Sequence, residues 1–148
     1  MAEQGFADFT ALGAKLLVPQ MCASLARICA LAGAVETGLA RVADGLTMSR
    51  QTGERCADSE LLRLRGELRL ISKDSDRDSV EADFRGAIDC AEGQTSKALV
   101  LRAATSLARL WQGQGKARDL LSPVYGWFTE GFDTADLKDA KALLEELQ

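Results

Sequence analysis

Glycine recurs in this chain at a spacing of about forty residues, the length of one helix-pair repeat. Gly13, Gly53, Gly93 and Gly131 each close a polar stretch that ends an apolar pattern with spacings of three and four. Glycine just past a helix end enters the left-handed conformation without a Cβ penalty, so each of the four predicts a helix stop. Alternating β-branched runs are missing, and only Pro19 and Pro123 punctuate a sequence in which Ala, Leu, Arg and Glu recur. The expected fold is all-α, an α-solenoid of helical-hairpin repeats.

The 148 residues then divide as one repeat domain. Residues 1–13 read as a partial repeat helix containing Phe6 and Phe9, 18–53 as the first repeat, 56–93 as the second, 96–131 as the third and 134–148 as a capping helix. Within the repeats the pattern predicts helices over 19–32, stopped by Gly33, and 35–50. Further helices fall at 57–71, at 80–91 with Asp78 or Ser79 as cap, at 96–112, and at 117–129 with a kink at Pro123. In the last segment, capped by Asp133, Leu137, Ala140, Leu143, Leu144 and Leu147 share one face and charged residues the other, as the end of a repeat array requires. The half-repeat at the start leaves apolar surface uncovered, which favours self-association through it or docking onto an upstream domain.

Composition narrows the chemistry. Histidine is absent, so the commonest general base and metal ligand are missing, and no phosphate-cradling glycine loop is present. The expected protein is not an enzyme, and no cofactor is expected. A net charge of -4 and a pI near 4.9 argue against bulk electrostatic grip on nucleic acid. No unbroken run of apolar residues long enough to span a bilayer is seen, which leaves the cytoplasm as the expected location and no membrane partner. Cys22, Cys29, Cys56 and Cys90 lie in apolar helical patterns and read as reduced core thiols. Asp74, Asp76 and Asp78 crowd one turn but lack the glycine and distal glutamate of a calcium loop, so no metal site is expected. Tyr125, Trp127, Phe128 and Phe132, with Trp111, read as packing that holds the last helix down.

In tetratricopeptide-like arrays the first helix of each pair lines the concave face. The outward positions of those helices carry Arg27, Arg63, Arg102 and Arg109, with Glu60, Glu67 and Gln112 between them. A planar guanidinium donates two parallel bonds to a carboxylate, so this face is the expected binding groove for an acidic peptide or a carboxylate terminus. The plainer alternative is a solvated, salt-bridged surface. A second reading encloses a small ligand in the curve of the array, which calls for a deep, mostly apolar pocket.

Leu25, Ala26, Cys29, Gly33, Gly38, Val42 and Gly45 in the first unit, and Gly66, Val80, Phe84 and Ala87 in the second, fall near the small and large positions of the tetratricopeptide repeat. Leu107, Ala108 and Trp111 do so in the third. Residues 50–55, 59–68, 101–111 and 120–134 closely resemble the carboxy-terminal repeat region of large bacterial signalling ATPases that carry a class III adenylate or guanylate cyclase domain. The resemblance covers nearly the whole chain. It implies a non-catalytic interaction superhelix whose partners are proteins or peptides, including the upstream ATPase and cyclase domains, and it transfers no catalytic or nucleotide-binding residue. Near Gly115 this chain is a few residues shorter than the family pattern, which implies a tighter third turn.

Overall fold

The structure, a computed structural model, describes residues 4–5, 15–72 and 76–147. The partial repeat helix expected over 1–13, with Phe6, Phe9 and the stop at Gly13, lies outside the described residues apart from Gln4 and Gly5. After a short 3-10 turn at Lys15–Leu17 come seven α-helices and, among the described residues, no strand. They are α1 (Val18–Ala32), α2 (Val35–Thr52), α3 (Asp58–Ile71), α4 (Arg77–Gly93), α5 (Lys97–Leu110), α6 (Lys116–Tyr125) and α7 (Ala135–Glu146).

Consecutive helices pair as hairpins, α1 with α2, α3 with α4 and α5 with α6, and α7 closes the stack against α5 and α6. Each first helix also touches the next first helix, α1 on α3, α3 on α5 and α5 on α7, while the second helices pack on first helices. One layer is therefore continuous and the other splayed. That asymmetry puts α1, α3, α5 and α7 along one face, as expected of a helical repeat fold.

Local chemistry explains most boundaries. Pro19 sits in the first turn of α1, where its missing N–H costs nothing. Gly33 ends that helix at φ 70°, and the next amide, of Ala34, bonds back to the Cys29 carbonyl at 2.9 Å. Gly53 ends α2 in the same way at φ 76°. Gly93, expected to act likewise, is instead the last residue of α4, and the left-handed turn passes to Thr95 at φ 54°. Gly131 is left-handed at φ 76° but closes no helix, because α6 stops at Tyr125 and not near 129. Pro123 brings a ring and no amide into the last turn, and the helix ends two residues later. The cap of α4 is Asp76, whose carboxylate accepts from the amides of Asp78 and Ser79, so it displaces both expected caps. Thr134, not Asp133, takes the cap position of α7.

The apolar interior forms two clusters. Val18, Cys22, Ala26, Val42, Leu61, Leu64 and Leu68 join the first hairpin to α3. Val80, Phe84, Leu101, Leu107, Leu121, Leu137 and Leu143 run through α4 to α7. Close approach depends on glycine: a Cβ on Gly66 would stand 2.6 Å from the Phe84 ring, and one on Gly45 2.8 Å from the Cβ of Cys22. Asp83, buried in α4, accepts from Arg65 at 2.6 Å and Arg69 at 2.7 Å and so ties α4 to α3.

Three expectations change. Cys22 and Cys29 are buried as read, but Cys90 is only partly buried and Cys56 is exposed, since it lies in the turn before α3. Trp111 is buried and Tyr125 and Phe128 are partly so, whereas Trp127 and Phe132 lie in the linker ahead of α7 and remain exposed. Lys15–Ala32 is long and apolar enough, by length and composition alone, to cross a membrane. Gln20, Ser24 and Arg27 break its apolar run, which is why counting unbroken apolar residues passes over it.

Candidate functional site

The first helices carry charged side chains into one groove of about 330 Å³. Arg27 comes from α1, Glu60, Arg63 and Glu67 from α3, Arg102 and Arg109 from α5, and Asp136 and Asp139 from α7. Five of the six residues marked as groove-binding by sequence, Arg27, Arg63, Glu67, Arg102 and Arg109, are thus brought together. The sixth is not. Gln112 lies past the end of α5, donates to Glu146 at 3.2 Å, and borders a separate hollow beside Gly113 and Gly115.

Arg63 is the centre of the floor and is only 7% exposed. Its fork meets Glu60 in two bonds, of 3.0 and 2.7 Å, and its remaining nitrogen pairs with Glu67. Ser106 of α5 donates to the same Glu67 carboxylate at 3.1 Å. Arg102 donates to Asp136 at 2.7 Å and lies 3.5 Å from Glu60, so it joins α5 to both neighbouring first helices. Arg109 pairs with Asp139. Arg27 is exposed and makes no ion pair among the described residues.

These pairs set the electrostatics. Burial alone would push the Glu60 carboxyl up, but Arg63 and Arg102 outweigh it and hold the group below its ordinary value. Burial likewise opposes the charge on Arg63, and the bond to Glu60 with the field of Glu67 more than restores it. The Arg102 guanidinium is raised, first by its bond to Asp136. Glu60 and Glu67, which share a face two turns apart, are therefore anchors for Arg63 and not a free acid and base.

Four arginines face four carboxylates, so the groove is balanced in charge and not cationic. Sequence reasoning named the arginines and missed Asp136 and Asp139, which it placed on the outer face of the capping helix. Their spacing of three matches one turn of α7, and Arg102 and Arg109 lie two turns apart on α5. The one-turn and two-turn spacings do not match, so local sequence offered no signal for the pairing. Among the described residues no group of three or more Cys, Asp or Glu side chains is placed to hold a metal ion; Asp74 lies outside them, and Asp76 is spent on its cap.

No family model matches the chain, and neither does any curated protein or solved structure.

Proposed function

We propose that this chain is a non-catalytic, tetratricopeptide-like interaction module whose charged groove receives an extended segment of a partner protein. The observation that carries the reading is one groove lined by charged side chains from four successive first helices. A purely acidic ligand suits it less well than sequence suggests, because three of the four arginines already hold carboxylates of the chain itself. A segment of alternating charge suits it better. Such a ligand places its carboxylate on Arg27 and its cations against Glu67 and Asp139, which are partly or fully exposed.

The resemblance of residues 50–55, 59–68, 101–111 and 120–134 to the repeat region of cyclase-linked signalling ATPases supports a place at the end of such a protein, with its ATPase and cyclase domains as partners. Free thiols at Cys22, Cys29, Cys56 and Cys90 accord with the reducing cytoplasm.

The test is selection of a displayed random peptide library on the immobilised full chain, followed by titration of the selected peptides. Enriched peptides with charges of both signs, binding at least tenfold more weakly to Arg27→Glu and more weakly at high salt, are the expected result. Absence of enrichment, or peptides indifferent to Arg27→Glu, overturns the proposal.

A further inference from the structure

The helix α1 has a second face that the groove does not use. Leu17, just before it, and Ile28 and Leu31 within it are 57, 55 and 86% exposed. With Met21 and Ser24 they follow spacings of four, three, four and three, which is the seam of a helix that pairs with another helix. The corresponding apolar face of α3 is not exposed: Leu61 and Leu68 pack against Gly45 and Gly38 of the preceding hairpin. Along the α1 seam Leu17, Ser24, Ile28 and Leu31 are exposed and Met21 is partly buried.

The order of side chains along the seam is symmetric in size: Leu, Met, Ser, Ile, Leu. Two such helices laid antiparallel about Ser24 set Leu17 against Leu31, Met21 against Ile28 and Ser24 against Ser24. The smallest side chain falls on the axis, where the backbones come closest, and its hydroxyl is already satisfied by the Gln20 carbonyl at 3.1 Å. No charged residue lies in the seam, and the two copies of Arg27 would be separated along the axis by about 9 Å, at a rise of about 1.5 Å per residue. The opposite end of the stack presents Lys138, Lys141 and Glu145, all exposed, so it offers this seam no apolar counterpart. A second copy therefore meets the seam with its own seam, which closes as a twofold pair and builds no filament.

We propose that two copies of this chain associate through antiparallel α1 seams centred on Ser24. A single helix seam is smaller than the roughly 800 Å² per partner of a standard stable interface, so a weak association is expected, with a dissociation constant in the micromolar range.

The experiment measures the mass of the full chain by light scattering from about 5 to 500 µM, bracketing that range. Mass is expected to rise twofold from the monomer's 15.9 kDa. Ile28→Glu should hold it at monomer, and Leu70→Glu, an exposed leucine on α3, should leave the rise intact. Circular dichroism shows whether either variant has unfolded. Register is read by cysteine cross-linking with Cys56 and Cys90 changed to Ser. Ser24→Cys should form a disulfide-linked pair under mild oxidation. Leu31→Cys should not, because its two copies would stand about 20 Å apart, beyond the roughly 7 Å that a disulfide spans. A monomer at every concentration, equal cross-linking of both variants, or a monomer that instead partitions onto lipid vesicles overturns the inference.

Discussion

The sharpest test of the packing compares two glycines in the middles of second helices. A Cβ built on Gly45 stands 2.8 Å from the Cβ of Cys22 and 3.0 Å from both terminal carbons of Leu61. Carbon atoms sit comfortably at about 3.5–4.0 Å, so the added methyl asks for about 1 Å that no rotamer can give, because the Cβ of Cys22 moves only with its backbone. Separating α1 from α2 to make that room costs about 1–3 kcal/mol as overpacking. Alanine returns about 1 kcal/mol of helix propensity. Gly45→Ala should therefore lose up to about 2 kcal/mol net, or up to about 8 °C in melting temperature for a chain of this size. Gly86, in the middle of α4, is the control: its added Cβ would meet only Leu62, at an ordinary 3.5 Å. Gly86→Ala should keep the propensity gain and stabilise by up to about 1 kcal/mol. Urea denaturation followed by helical ellipticity reads both. Midpoints that move in the same direction for the two variants would refute the assignment of Gly45 to a tight crossing.

Asp83→Asn should cost about 2–3 kcal/mol, because the buried carboxylate holds both Arg65 and Arg69 and those cations keep partial access to water. A denaturation midpoint unchanged from the parent would reduce the pairing to surface decoration. Trp111→Phe should raise the Glu81 carboxyl toward its ordinary value, since the indole N–H, 2.8 Å away, is the first cause of its depression, ahead of the bond from Arg85. A carboxyl depressed in the folded state lends stability above its unfolded pKa and loses it as pH falls through the folded value. The variant should therefore lose less to acid through this group. Titration of the Glu81 side-chain carboxyl carbon by NMR checks the shift, and an unmoved curve contradicts it.

Much of the hairpin order was legible because it is written in local chemistry. Gly33 and Gly53 stop helices through their own left-handed backbone, and the apolar spacing of three and four marks the buried faces of α1 and α3. Where a neighbour decides, sequence was less informative. Gly93 and Thr95 stand within one turn, and nothing local dictates that the threonine takes the left-handed turn. In the same way the arginines of the groove were legible as outward positions of first helices. Their engagement was not, because Asp136 lies 34 residues from Arg102 and is brought to it only by the stacking of α7 on α5.

That stacking gives the groove two mechanical regimes. Arg63, Glu67 and Ser106 tie α3 to α5, Arg102 ties α5 to both α3 and α7, and Arg109 repeats the tie to α7. Arg27 contributes no such tie, so α1 is held to α3 chiefly by the apolar cluster around Cys22, Leu61 and Leu68. Partly exposed ion pairs weaken as salt screens them, whereas apolar burial does not weaken in that way. A ligand that draws Arg102 or Arg109 away from α7 acts on the same bonds that set the spacing of the first helices. A ligand that engages Arg27 alone leaves that spacing untouched. Binding at the α1 end of the groove thus avoids breaking internal pairs, and binding at the α7 end must exchange one carboxylate for another. Under the proposed function, this difference favours Arg27 as the first point of contact for a carboxylate of a ligand.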